Sequence, residues 1–445
     1  MGKRLALLGA LLLIMAAACA AAEEFYTEMP PYLRMTQVTQ SEQVAKKIYI
    51  KRTYPQTTNE AVNAEMRALV DEITERNREK LPLEPVTMNS YLDTGAIITR
   101  SGTSWMSFLT LAEVSREKDH LSVDFDARVY DIETGERILL GDVFAPESEA
   151  WALMASEVRT QLTAAFGDEE PDAERLDALC TREALESAAF TLGAVRLQLT
   201  YRADEIYPGK NTLLHVHLYY PEIREMMTPR AQAQTDNSRF RMIALTYDDG
   251  GARQRTRNVT DVLRQYGAQA TFFIVGRMMQ ANRDNMCHQH NAGYELQSHT
   301  YNHKYPGEIS IDEIRAQKVQ FEDEMCSIVG VKPTCMRAPG GNEYVYVKIG
   351  IGYPLLHWSV AAGDSGSNSV ERCSGRVSER VKDGDVVLMH DTNSICHKYT
   401  EVILQRLESR GYLFVTLEEL FADAGVEKED NLVYFSPSRV ETGLE

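Results

Sequence analysis

The chain has 445 residues, 44% of them apolar and 25% charged, which is enough for two hydrophobic cores and unlike disordered chains or repeat arrays. Its formal charge of −18 disfavours nucleic acid and anionic lipid as partners. An uncharged glycan suits such a surface better.

Taken in chain order, Lys3 and Arg4 precede the apolar stretch Leu5 to Met15, and the small residues Ala16 to Ala22 end before Glu23 and Glu24. A basic start, a short apolar run and a small-residue exit predict a secretory signal peptide over residues 1–22. Its removal would take Lys3 and Arg4 with it and move the charge from −18 to −20. Ala18 and Cys19 also allow a lipoprotein, although Ala16 stands where leucine is usual, and a retained stretch could act as an anchor. The expected location is thus secreted or at the cell surface or wall. Six cysteines follow, at 180, 287, 326, 335, 373 and 396, and none forms a C-x-x-C metal pattern. They read as core thiols or as bridges that export would permit.

Residues 40–228 read as a separate, smaller α+β domain. A helix is expected over Asn59 to Lys80, where Val62, Met66, Leu69, Val70 and Ile73 share one face. Leu121, Val123, Phe125, Ala127 and Val129 alternate as on a strand, and Glu133, Thr134 and Gly135 then supply a turn. Further strands are expected at Val195 to Tyr201 and Leu214 to Leu218. His215 and His217 share a strand face, but no carboxylate or cysteine cluster accompanies them, so an exposed strand face explains them better than a metal site. Residues 229–238 are polar and without pattern, and read as a linker.

From 239 to 425, short apolar runs recur at Met242 to Leu245, Thr271 to Val275, Tyr294 to Leu296, Thr334 to Met336, Leu355 to Trp358, Val386 to Met389 and Tyr412 to Val415. Helix-like stretches separate most of them. The clearest is Ser310 to Val329, with a capping box from Ser310 and Glu313 and an apolar face including Ile314, Val319, Phe321 and Met325. Strand then helix, repeated, predicts an α/β domain with a parallel sheet. Residues 426–445 are left as a tail.

Three clusters stand at the ends of predicted strands: Thr246-Tyr247-Asp248-Asp249-Gly250, His299-Thr300-Tyr301-Asn302-His303 and Val387-Leu388-Met389-His390-Asp391. Alone, adjacent aspartates before glycine suit a solvated turn, and histidines four apart suit a helix surface. Together they suit a catalytic metal, because two imidazoles and one carboxylate leave a coordination position for water. Adjacent aspartates on extended chain point different ways, so one can ligate while the other takes a proton from that water. His390 would supply the acid on the opposite side.

These clusters resemble motifs of the polysaccharide deacetylases of carbohydrate esterase family 4, which read T-F-D-D-G, H-[ST]-x-x-H and L-x-H, and the resemblance covers about 239–425. It implies an irregular, seven-stranded (β/α) barrel with its chemistry at the strand carboxyl ends. It further implies Asp248 as general base, Asp249, His299 and His303 as metal ligands, and His390 as general acid. Arg337, in Arg337-Ala338-Pro339-Gly340-Gly341, matches the arginine that holds the base, and Asp364 the aspartate that orients the catalytic histidine. Gly340 and Leu388 fall at substrate-binding positions. The pattern departs from the family at Ala361 and Ser365, where an acid and a tryptophan are usual, and at Gly340, where an aromatic is usual. The implied cofactor is a divalent metal, Zn2+ first, with Co2+ and Mn2+ as alternatives.

The implied reaction is hydrolysis of N-acetyl groups on a wall glycan, peptidoglycan first and chitin-like oligosaccharides next, with O-acetyl xylan as an ester alternative. Residues 125–144 resemble an extracytoplasmic domain of cell-wall deacetylases and of a lysozyme-sensing anti-sigma factor. That resemblance implies a wall-associated role or a lysozyme-like protein partner, in which case the barrel could be weak or inactive.

Overall fold

Asn59 begins the first helix by accepting the Ala61 and Val62 amides on its side-chain oxygen at 3.1 and 3.3 Å, a cap that contributes about 1 kcal/mol. The helix runs Glu60–Arg78 in the computed structural model, which describes residues 25–26, 30, 35–81, 88–117, 119–250, 253–305 and 307–442. The expected signal peptide lies outside these residues. Val62, Met66, Leu69 and Ile73 are buried from this helix against Ile50, Leu92, Ile98 and Phe108 of a six-stranded sheet.

That sheet runs in chain order: β1 (Thr36–Ala45), β2 (Ile48–Gln56), β3 (Ser90–Arg100), β4 (Trp105–Arg116), β5 (Asp119–Asp131) and β6 (Arg137–Ile138). Neighbours are antiparallel except β2 and β3, which the helix connects as a crossover and which are parallel. A second antiparallel sheet holds β7 (Phe190–Leu192), β8 (Arg196–Arg202) and β9 (Leu213–Tyr219).

The second half curls around β10 (Arg241–Asp249). One edge of β10 pairs with β11 (Thr271–Ile274), which pairs with β12 (Glu295–Ser298). Its other edge pairs with β15 (Val386–His390) in its upper half and β16 (Tyr412–Val415) in its lower half. Single parallel bridges join Ser298 to Met336 and Met336 to Leu355. The segment from β13 (Leu355–Leu356) to β14 (Val360–Ala361) then returns to β15 through Val360 and Val387. Seven positions close the ring: β10, β11, β12, Met336, residues 355–361, β15 and β16. It is the irregular parallel barrel that the motifs implied.

Four expectations need correction. The tail is ordered structure: β17 (Val433–Ser436) pairs in parallel with β13 and turns back into β18 (Arg439–Glu441), because Val433, Tyr434 and Phe435 have apolar surface to bury. The presumed linker contains a helix, Pro229–Gln234, capped by Thr228, with Ala231 fully buried. Val319 is 55% exposed, on the outer side of the helix Ile311–Val329. Lastly, the first half is not packed as a separate unit, since Ile97, Leu109, Leu111 and Val123 share a core with Val259, Leu263, Phe272 and Met286.

Polar contacts join the same surfaces. Glu113 on β4 meets His288 Nδ1 at 2.5 Å and accepts from Asn291 Nδ2 at 3.0 Å, both on the helix Arg283–Asn291. Arg100 donates to Glu408 at 2.8 Å. All six cysteines named above are free thiols, five of them buried and Cys180 half-buried, and burial pushes the Cys287 thiol up to about 12. Among the described residues, no helix is long and apolar enough to cross a membrane.

Candidate metal centre

Strand register assembles the site. Asp248 is the Cα partner of His390 across β10 and β15, so these two side chains start from neighbouring points on the barrel rim. Asp249 is level with Ile274, whose carbonyl accepts the His299 amide at 2.9 Å. Ser298 bridges Met336, and its carbonyl accepts the Arg337 amide at 2.9 Å. The candidate residues therefore collect at the carboxyl ends of the strands.

Asp249, His299 and His303 present one ligand atom each, all within 4.8 Å of one another, and they are the only such group among the described residues. Asp249 Oδ1 lies 3.9 Å from His299 Nε2 and 3.6 Å from His303 Nε2. His299 Nδ1 is 2.9 Å from the Arg337 carbonyl, which can only accept, so the proton sits on Nδ1 and the Nε2 lone pair faces the cluster. Burial, only partly offset by Asp248 and Asp249, lowers the His299 pKa and favours the neutral ligand form. The donor set, the spacing and the fixed tautomer all fit a divalent cation of zinc type.

The two histidines do not share a helix face. Thr300 and His303 adopt left-handed backbone with φ of 62° and 59°, and Asp249 does so with φ of 87°. Such conformations cost on the order of 1–3 kcal/mol each in a non-glycine residue. Three of them meeting at one donor cluster is strain concentrated where the ligand atoms must converge.

Asp248 is 3% exposed, and its Oδ1 accepts from Arg337 Nη1 at 2.8 Å. Its Oδ2 is turned toward His299 Nε2, 3.8 Å away. His390 Nδ1 is 2.9 Å from Asp364 Oδ1, and the His390 amide donates to Asp364 Oδ2 at 2.8 Å. Burial alone would lower the His390 pKa, but the Asp364 hydrogen bond and charge, with Asp248 and Asp249, raise it to about 9. These contacts favour the imidazolium form. Gly340 is exposed at the rim with φ of 65°, whereas Leu388 keeps only 7% of its surface open. Ala361 and Ser365 flank Asp364 without displacing it from His390.

His215 and His217 belong elsewhere. His215 sits between Thr200 Oγ1 at 3.1 Å and the His290 carbonyl at 3.0 Å, and His217 meets Gln198 Oε1 at 3.1 Å. Burial lowers both pKa values well below the ordinary imidazole range. They are packed, neutral interface residues and not an exposed pair.

The family model described as polysaccharide deacetylase matches residues 235–349. Peptidoglycan-N-acetylglucosamine deacetylase PgdA of Listeria monocytogenes is 32% identical over 181 residues, which is 41% of this chain and 39% of that protein. A peptidoglycan-N-acetylglucosamine deacetylase of Bacillus cereus is 32% identical over 188 residues, covering 40% of this chain and 88% of its own length. This chain belongs to the polysaccharide deacetylase family. Among solved structures, a family 4 acetyl xylan esterase from Clostridium thermocellum in complex with a cobalt ion is 26% identical and covers 44% of this chain and 100% of its own, with a TM-score of 0.41. The chain spans only 39% of the length of the Listeria protein.

Three further residues support this site, and none carried a role in the sequence reading. Asp391 is fully buried and accepts from the Gly250 amide at 3.0 Å and Thr256 Oγ1 at 2.6 Å, tying down the turn that follows Asp249. Burial, aided by the Asp249 and Asp248 charges, pushes its carboxyl up to about 7. Tyr399 donates its hydroxyl to Asp364 Oδ2 at 2.5 Å, behind His390. Thr392 donates to Asp249 Oδ2 at 2.9 Å, which leaves Oδ1 as the oxygen facing the histidines. Position next to His390 was the one available signal for Asp391; Thr392 and Tyr399 offered none.

Thr392→Val should therefore loosen metal binding without removing a ligand. The expected change is a rise of about 10–100-fold in the metal dissociation constant, typical for loss of a group that orients a ligand. Competition with a chromophoric chelator measures it; an affinity equal to wild type would mean Asp249 needs no such anchor.

Proposed function

We propose that this chain is an exported, metal-dependent deacetylase that hydrolyses the N-acetyl groups of glucosamine units in peptidoglycan. The observation that carries the reading is the pairing of Asp248 with His390 beside the Asp249, His299 and His303 ligand set. Family membership and the likeness to peptidoglycan-N-acetylglucosamine deacetylases of Listeria and Bacillus support the substrate. The basic, apolar and small-residue succession over 1–22 supports export. Zn2+ is the proposed ion, since two imidazoles and a carboxylate suit it, with Co2+ or Mn2+ as substitutes.

Asp249, His299 and His303 would hold a divalent ion, which would supply Lewis acidity toward an acyl oxygen and acidify the attacking water. The protein does the rest. Arg337 occupies Asp248 Oδ1, so Oδ2 is the oxygen left to accept a proton from the attacking water. On the other side, Asp364 holds His390 Nδ1, so Nε2 is directed at the departing amine and its positive charge makes it the acid. The rim around Gly340 would accept the acetamide, with its N–H placed for the oxyanion, while Leu388 offers only a narrow apolar edge. Acetate and a free amine are the products.

The test is acetate release by the full chain from purified peptidoglycan and from chitooligosaccharides, before chelation, after it, and after metal is restored. Metal-dependent release is expected. No release from any N-acetylated glycan with metal restored would reject the proposal, and release only from acetylated xylan would replace the amide with an ester substrate.

A further inference from the structure

An aromatic ring lies partly open beside the candidate metal ligands. Tyr305 is 46% exposed, and its ring meets the His303 ring edge-on, with centroids 6.2 Å apart and planes at 73°. Two hydrogen bonds fix its backbone. The Tyr305 amide donates to Glu308 Oε2 at 2.9 Å, and the Glu308 amide donates back to the Tyr305 carbonyl at 3.1 Å.

Gly340 explains the ring's position from the opposite wall. A Cβ added there would come within 2.6 Å of Tyr305 Cε1 and 3.4 Å of its hydroxyl, so any side chain at 340 would displace the tyrosine. The left-handed φ of 65° also favours glycine at this position. The loop from His303 thus delivers an aromatic surface into space that residue 340 leaves vacant, at the mouth of the donor cluster.

We propose that Tyr305 is the stacking platform for a sugar ring of the substrate glycan and that Gly340 is small to accommodate it. The apolar C–H face of a pyranose covers such a ring, while the sugar hydroxyls and the tyrosine hydroxyl stay in water. With Tyr305 46% exposed, part of its ring is open for such a contact. The inference rests on the deacetylase reading and adds a specificity-determining residue to it.

The test compares wild type, Tyr305→Ala and Tyr305→Phe, all as full chains, with tetra-N-acetylchitotetraose. Tyr305→Ala should raise KM by about three- to tenfold with kcat little changed, while Tyr305→Phe stays near wild type. Calorimetric binding of the same oligosaccharide to chelator-stripped protein should weaken by the same factor. Metal affinity and thermal midpoint should move little, because the backbone hydrogen bonds of Tyr305 do not need its side chain. Wild type that acts on the oligosaccharide alongside an equally effective Tyr305→Ala overturns this assignment alone. Wild type that neither binds nor deacetylates any glycan overturns the parent reading, and this one with it.

Discussion

Arg337→Met should destabilise the protein by about 3–5 kcal/mol and abolish acetate release, the larger of the two effects expected at this site. The guanidinium is entirely buried, with Nη1 donating to Asp248 Oδ1 at 2.8 Å and Thr246 Oγ1 at 2.7 Å. Nε donates to the Leu356 carbonyl and Nη2 to the His357 carbonyl, each at 2.9 Å. Phe273 covers one side, 4.0 Å from the guanidinium carbon. Methionine fills much of the volume but leaves the Asp248 carboxylate buried without its partner and three other oxygens without donors. The cost lies in what is stranded, not in the pair that is lost. Adding Asp248→Asn to Arg337→Met should therefore recover part of the stability and none of the activity. Unfolding of both variants and wild type by denaturant measures this, followed as one transition because the two halves share a core. A single variant within about 1 kcal/mol of wild type would show that Arg337 is not the clamp on Asp248.

Much of the barrel was legible because its strands are short apolar runs that end in chemically loaded residues. β10, β15 and β16 fall close to the runs expected for them, and β16 coincides with Tyr412–Val415. Where pairing thins to one bridge, as at Met336, sequence cannot tell a strand from a loop that touches the sheet once. The six-stranded sheet was harder to read. β4 is buried on both faces, so it shows no alternation, and Ser107, Thr110 and Glu113 interrupt its apolar run. The helix Arg283–Asn291 was hidden more completely: Asp284 to Asn291 are all buried, yet most are polar. It lies between sheet and barrel, where Asn291 alone accepts from Thr212 and the Leu213 amide and donates to Glu113. Tertiary partners, not an apolar stripe, make that burial tolerable. The candidate ligand triad and the proposed base and acid were readable as residue types at strand ends. Their supporting shell was not, because Thr392 and Tyr399 matter only through register and packing that no local pattern records.

Asp364→Asn should move the alkaline limb of the pH–rate profile toward acid. In wild type the His390 imidazolium is the proposed proton donor, with its pKa raised from 6.5 to about 9, so activity should fall as pH rises through that region. A bound dication opposes the Asp248 and Asp249 contributions, which places the limb at or below 9. Asparagine keeps an oxygen for His390 Nδ1 but removes the charge. The limb should then approach 6.5, and kcat at neutral pH should drop by about 10²-fold or more, the scale of losing a positioned acid. Tyr399→Phe removes only one hydrogen bond to Asp364 and keeps its charge, so the limb should stay near the wild-type position. The linked effect on stability has a fixed sign. A histidine whose folded pKa lies above its unfolded value is stabilising below 6.5 and loses that contribution as pH climbs through about 9. Wild type should lose this stability across that window, and Asp364→Asn should not. Profiles of kcat, kcat/KM and unfolding midpoint against pH separate the two effects. If the limb stays in place while the midpoint changes, Asp364 supports the fold around His390 but does not tune its proton, and the donor must be another group.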